Sequence, residues 1–194
     1  MDRRTAVLVA LALVAGAQAR PMVPGTSPVL QPRVNGTATA AQMRAVQPTF
    51  VLMQTVHVLW DLLRLGDVTL DDGTRSRLKL TLGPLAPAST LNAAYAQRVT
   101  EALRAELDAD ALAAVDRTLA AREQRAQALL SRARLATPEG PVGIPLATLS
   151  LTVPGGRAAV LRVLSAPHVN PFAVGQSAHL LLRDLLELLG VPEV

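Results

Sequence analysis

The 194-residue sequence predicts an all-α fold, a small bundle of short capped helices behind a flexible N-terminal segment. Three observations carry that expectation. Apolar residues recur at helical spacing from Pro48 onward, a leucine followed by a capping residue opens three successive segments, and seven leucines crowd residues 177–189. An α+β alternative, with one or two β-hairpins, rests on two stretches (75–82 and 148–164) whose pattern reads both ways.

The first helix is expected from Pro48 to near Gly66. Leu52, Met53, Val56, Leu59, Trp60 and Leu63 fall on one side, with Gln54, His57, Asp61 and Arg64 on the other. Trp60, the single tryptophan, is assigned to the core as its large anchor. With Asp71 as N-cap, residues 72–82 form a helix with Leu78 and Leu82 inward. The same run partly alternates, and Asp72-Gly73 suits a hairpin turn. A third helix is expected to start at Ser89, Thr90 or Asn92 and to bury Tyr95, Val99 and Leu103. A fourth runs from Asp108 to about Leu135, with Leu112, Val115, Leu119, Ala126 and Leu130 inward.

The starts Leu70-Asp71, Leu91-Asn92 and Leu107-Asp108 favour helix over strand at 72–82. A leucine at N′ staples onto the first turn while the cap accepts an orphan N–H, and repetition implies short helices folding back on one another. Residues 136–176 are assigned to a mostly irregular connection. Within it Leu149, Leu151 and Val153 alternate before Pro154-Gly155-Gly156, and a short helix is expected over 157–165. A hairpin there is the alternative, but a lone two-stranded ribbon is marginal. Ser177 is expected to cap a last helix, docked on the helical domain of residues 48–135, that Gly190 and Pro192 stop. Leucines at 180, 181, 182, 185, 186, 188 and 189 cover over half its circumference. Such a helix is either central or shared with a partner.

Residues 1–19 carry Arg3 and Arg4, an apolar run from Ala6 to Ala15, and Ala17-Gln18-Ala19. That is the layout of a secretory signal peptide, with cleavage expected between Ala19 and Arg20. Residues 20–47, with prolines at 21, 24, 28 and 32, read as a flexible linker. No further stretch is apolar enough to span a bilayer, so the expectation is a mature chain without a transmembrane segment, periplasmic or secreted. The formal charge of +4 belongs to the leader and linker, since fourteen basic residues meet fourteen acidic ones from Pro48 onward. Export and that balance argue against a nucleic-acid partner.

With no cysteine in the chain there is no disulfide, thiolate metal site, cysteine nucleophile or acylated lipoprotein terminus. Three histidines remain. His57 and Asp61 are spaced i, i+4, but two ligands do not make a zinc site, and the pair is read as solvated on a polar stripe. Gly175-Gln176-Ser177-Ala178-His179 misses the nucleophile elbow because His179 stands where that turn needs glycine. Pro154-Gly155-Gly156-Arg157 lacks the length and lysine of a phosphate loop. Asp71 with Asp72, and Asp108 with Asp110, sit at helix starts, where they suit caps and the helix dipole. No catalytic, cofactor-binding or metal residue is therefore assigned.

Leu107-Asp108-Ala109-Asp110 followed by Arg122-Glu123-Gln124-Arg125-Ala126 resembles the Leu-Thr-x-x-Gln helix starts of the Spy and CpxP class of periplasmic stress chaperones. The likeness covers residues 68–135 and departs at the diagnostic places: Asp or Asn replaces the Thr, and Ala111 stands at a Gln position. In layout the chain also resembles exported bacterial helical proteins with an Asn-Pro-Phe segment, here Asn170-Pro171-Phe172, before a leucine-rich last helix. The resemblance implies a non-enzymatic binding protein, chaperone-like, with unfolded or envelope proteins as partners. The alternative is an envelope scaffold forming a homodimer through its last helix.

Overall fold

The computed structural model describes residues 40–134 and 144–190, all within one unit, Val34–Val194. These residues form α1 (Ala40–Leu65), α2 (Asp72–Leu82), α3 (Ala93–Glu106), α4 (Ala109–Arg134), α5 (Ile144–Thr152), α6 (Gly156–Ser165) and α7 (His179–Leu188). A single 3₁₀ turn, Gly83–Leu85, follows α2, and among the described residues there is no strand. The all-α expectation holds, and no described helix is long and apolar enough to cross a membrane. The leader, the Ala19/Arg20 cleavage position and most of the linker lie outside the described residues.

Helix α1 is the axis, with α3, α4, α6 and α7 packed against it. Phe50, Leu52, Met53, Val56, Val58 and Leu59 are all buried on it, so its apolar surface is broader than a single stripe. The helix begins at Ala40 and carries Pro48 in its interior, so residues 40–47 are not linker. Val46 is the reason: with Phe50 one turn on, it joins the core, and burying both outweighs the one backbone donor that proline removes.

Trp60 is only partly buried, a correction to its expected place. Phe50 and Phe172 take the deep aromatic positions, while the Arg64 guanidinium lies 4.9 Å from the centre of the indole ring. Gly66, at φ 74°, ends α1: its N–H donates to Leu63 O and that of Asp67 to Leu62 O, which satisfies the last carbonyls.

The three leucine-cap starts are built alike. Asp71 Oδ1 accepts from Thr74 N–H at 2.9 Å, Asn92 Oδ1 from Tyr95 N–H at 2.8 Å, and Asp108 Oδ1 from Ala111 N–H at 2.7 Å. Leu70, Leu91 and Leu107 are all buried beside them. The hydroxyl and N–H of Thr74 hold the Asp71 carboxyl below its usual range. Residues 72–82 are helical because this start puts Leu78 and Leu82 inside and leaves Leu80 exposed, whereas a strand would set all three on one face. Asn92→Ala is expected to lower stability by about 0.5–2 kcal/mol. Urea unfolding checks it, and an unchanged midpoint would remove Asn92 from the capping account.

Tyr95 is half-buried at the edge of α3, while Val99 and Leu103 enter the core. On α4, Val115 and Ala126 are buried, whereas Leu112, Leu119 and Leu130 are partly covered. Ion pairs cross successive seams: Arg77 of α2 with Glu106 of α3, and Arg104 of α3 with both oxygens of Asp116 on α4 at 2.7 and 2.9 Å.

Residues 144–152 and 156–165 are helices, so the described part of the connection expected to be irregular, 144–176, is more than half helical. The alternation at 149–153 misleads because the hydroxyls of Ser150 and Thr152 donate to the carbonyls of Leu146 and Thr148, four residues back, and so find partners within a helix. Pro145, in the first turn of α5, removes a donor that has no intrahelical partner anyway. Pro154-Gly155 lies in the turn between α5 and α6, as expected, while Gly156 is already the first residue of α6.

Ser177 does not cap α7. The cap position is Ala178, which makes no side-chain cap bond, and its N–H donates instead to Pro171 O at 3.0 Å. The segment between α6 and α7 is thus tied to itself and to the turn after α2. Asn170, 1% exposed, donates through Nδ2 to Leu85 O and Ala88 O and accepts from Phe172 N–H. Thr90 and Val169 add an isolated antiparallel bridge.

Candidate functional site

A groove of about 750 Å³ opens between α1, α4 and α5. Its size lies in the range of small-ligand and peptide pockets. Phe50 and Val51 from α1, Leu119 from α4 and Leu149 from α5 supply an aliphatic and aromatic lining. Val51 is 38% exposed, so this surface meets solvent although Phe50 beneath it is buried. Polar groups interrupt the lining. Gln54 Nε2 donates to Thr152 Oγ1 at 2.6 Å, joining α1 to α5 while Thr152 donates onward to Thr148 O.

Arg122 lines the groove from α4 and reaches across to α1. One guanidinium nitrogen, Nη2, donates to Asp61 Oδ2, and Nη1 lies 2.9 Å from His57 Nδ1. Because a guanidinium only donates, His57 accepts at Nδ1 and carries its proton on Nε2. Nε2 stands 3.8 Å from Asp61 Oδ2. All three side chains are largely covered, at 28%, 28% and 21% exposure for His57, Asp61 and Arg122. Burial, and then the adjacent Arg122 charge, hold the His57 pKa below its ordinary 6.5, against an opposing pull from Asp61.

The pair read in sequence as solvated is therefore an inter-helix cluster. Arg122 completes it from sixty-one residues beyond Asp61, a separation that no local pattern signals. The basic residues late in α4 look like a response to the helix dipole, and Arg122 among them is committed to α1 instead.

The three histidines serve different places. His168 is exposed, with its carbonyl accepting from Leu91 N–H, and His179 Nδ1 lies 3.1 Å from Phe172 O. Among the described residues no three His, Asp or Glu side chains form a metal-holding group. Ser177 lies beside the α5–α6 turn, and Gly155 there has no room for a Cβ against it.

On α7, Leu182, Leu185 and Leu189 are buried, Leu181, Leu186 and Leu188 partly so, and Leu180 is 60% exposed. A second hollow, about 470 Å³, separates α2 from α7 and is lined by Lys79, Leu186 and Arg183. Arg183 is occupied there by Asp184 at 2.8 Å and Glu187 at 3.6 Å.

Comparison with family models, with curated proteins and with solved structures finds no match to this chain.

Proposed function

We propose that the protein is an exported, non-enzymatic helical binding protein, chaperone-like, that takes aliphatic segments of unfolded or envelope proteins into the groove between α1, α4 and α5. One observation carries this reading: Phe50, Val51, Leu119 and Leu149 from three helices converge on one solvent-open hollow in which Gln54 is bonded to Thr152 and Arg122 is held by Asp61 of α1. Such a surface offers area to apolar side chains and asks no specific polar group of them, which suits varied clients. Export rests on the tripartite leader of residues 1–19. The homodimer alternative has less support, because the leucines of α7 are mostly covered within the chain.

The test is a neutral apolar dye, N-phenyl-1-naphthylamine, together with a denatured model enzyme whose aggregation is followed by light scattering. The protein is expected to bind the dye and to delay aggregation. Val51→Glu sets a charge on the groove wall at an already exposed position, so it should weaken the dye about tenfold, equivalent to about 1.4 kcal/mol, and leave thermal stability nearly unchanged. Absence of both dye binding and aggregation delay would defeat the proposal, as would undiminished binding by Val51→Glu.

A further inference from the structure

Arg122 faces two ways, toward α1 and toward the groove. Its present bonds need a neutral imidazole, because Nδ1 of His57 accepts only while it is unprotonated. Proton uptake changes both ends of the ring. At Nδ1 a cation then faces a guanidinium at 2.9 Å, a repulsive contact that also lacks an acceptor. At Nε2 the new charge faces Asp61 Oδ2, 3.8 Å away and within the reach of a rotamer adjustment on the same helix. Asp61 Oδ2 is the oxygen that Arg122 holds, so the protonated ring and the guanidinium compete for one acceptor.

We propose that His57, Asp61 and Arg122 form a proton-operated latch on the groove: protonation exchanges the Arg122–Asp61 tie between helices for a His57–Asp61 pair within α1 and turns the guanidinium into the groove. Its regulatory meaning rests on the groove being the binding site. At neutral pH Arg122 is neutralised by α1, and the aliphatic lining of the groove is flanked by Arg44 and Glu123. At acid pH the released Arg122 guanidinium adds one positive charge to the same groove, beside Arg44 and Glu123, and should favour anionic amphiphiles and acidic client segments.

The surroundings fit a two-state device. Among the described residues, the charged groups acting on His57 are Asp61 from its own helix and Arg122 from α4. The Trp60 ring lies 6.2 Å from the imidazole, tilted by 35°, and Arg64 stacks over that indole at 4.9 Å from its centre. With the folded-state pKa of His57 below 6.5, the unfolded chain takes up the proton more readily. The stability supplied by the neutral ring is complete above 6.5 and is lost as pH falls through the lower folded value.

The test follows the Arg122 side chain by NMR in the full chain labelled with ¹⁵N-arginine, its Nε–Hε signal assigned by its loss in Arg122→Lys. Between about pH 7.5 and about pH 5 the signal is expected to titrate with a midpoint below that of a free histidine. In His57→Gln, which keeps a neutral acceptor beside Arg122, it should stay fixed. A signal that does not move in the wild type, or that still titrates in His57→Gln, would overturn the latch.

A second arm compares the anionic dye 1-anilinonaphthalene-8-sulfonate with neutral N-phenyl-1-naphthylamine. The anionic dye alone should bind about three- to fivefold tighter at the lower pH, the size of one partly screened ion pair, and His57→Gln should abolish the gain. An anionic-dye gain that survives in His57→Gln counts against the latch. Titration of Arg122 with neither dye bound at any pH would support the latch and remove the groove as a binding site.

Discussion

Replacing Asn170 by alanine is expected to destabilise the fold by about 3–5 kcal/mol, since three backbone groups, two of them buried and the third partly so, lose their partner at once. The carbonyls of Leu85 and Ala88 each accept from Nδ2 at 2.7 Å, and Phe172 N–H donates to Oδ1 at 3.0 Å. Each orphaned group costs about 1–3 kcal/mol when no water reaches it, and partial relaxation of the two chain segments brings the sum below the simple total. The effect should spread, because Phe172, fully buried, enters the core immediately after the asparagine. Urea unfolding should show a lowered midpoint with an unchanged slope. A loss under about 1 kcal/mol would mean that the carbonyls find other donors and that the clasp is dispensable.

An isosteric replacement separates hydrogen bonding from packing. Asn170→Asp keeps the shape but exchanges the donating NH₂ for an acceptor aimed at two carbonyl oxygens. At neutral pH it should cost at least as much as Asn170→Ala. Part of that loss should be recovered in acid, where a protonated carboxyl can donate to one of the carbonyls; a buried carboxyl with a raised pKa is stabilised as pH falls.

The same asparagine shows where the sequence is readable and where it is not. Asn170-Pro171-Phe172 stands out as a motif, yet its partners Leu85 and Ala88 lie more than eighty residues earlier in the chain, and a one-dimensional pattern does not pair them. The local signals were different in kind. Leu70-Asp71, Leu91-Asn92 and Leu107-Asp108 are read correctly because cap and staple both act within one turn.

Helix α5 escaped because Leu149, Leu151 and Val153 alternate by coincidence, and nine residues are too few for helical periodicity to outvote period two. The size of Trp60 suggests a core anchor, yet it packs at the edge with Arg64 over its ring, and Phe50 and Phe172 fill the interior. On α1, Gln54 at the groove and His57 and Asp61 beside it stand out in the sequence as a polar stripe. Their meaning depends on Thr152 and Arg122, which tertiary packing delivers.

Gly155→Ala is expected to cost about 2–4 kcal/mol, from two sources that a second substitution separates. The first is conformational. Gly155 adopts φ 83° and ψ 0° at the head of α6, where a side chain costs about 1–2 kcal/mol. The second is contact: a Cβ there would stand 2.4 Å from Ser177 Cβ and 3.0 Å from Ala159 Cβ. Ser177 belongs to the segment that leads into α7, so the clash pushes apart the α5–α6 turn and that segment, which also carries the Asn170 clasp.

Ser177→Gly removes the closer obstacle and leaves the backbone strain. In the Gly155→Ala background it should therefore restore about 1–2 kcal/mol, a coupling measurable by a double-mutant cycle in urea. Full recovery would mean that backbone strain contributes nothing. No recovery would mean that the turn and the α7 leader are not in contact, and that the glycine pair serves only to change the chain's direction.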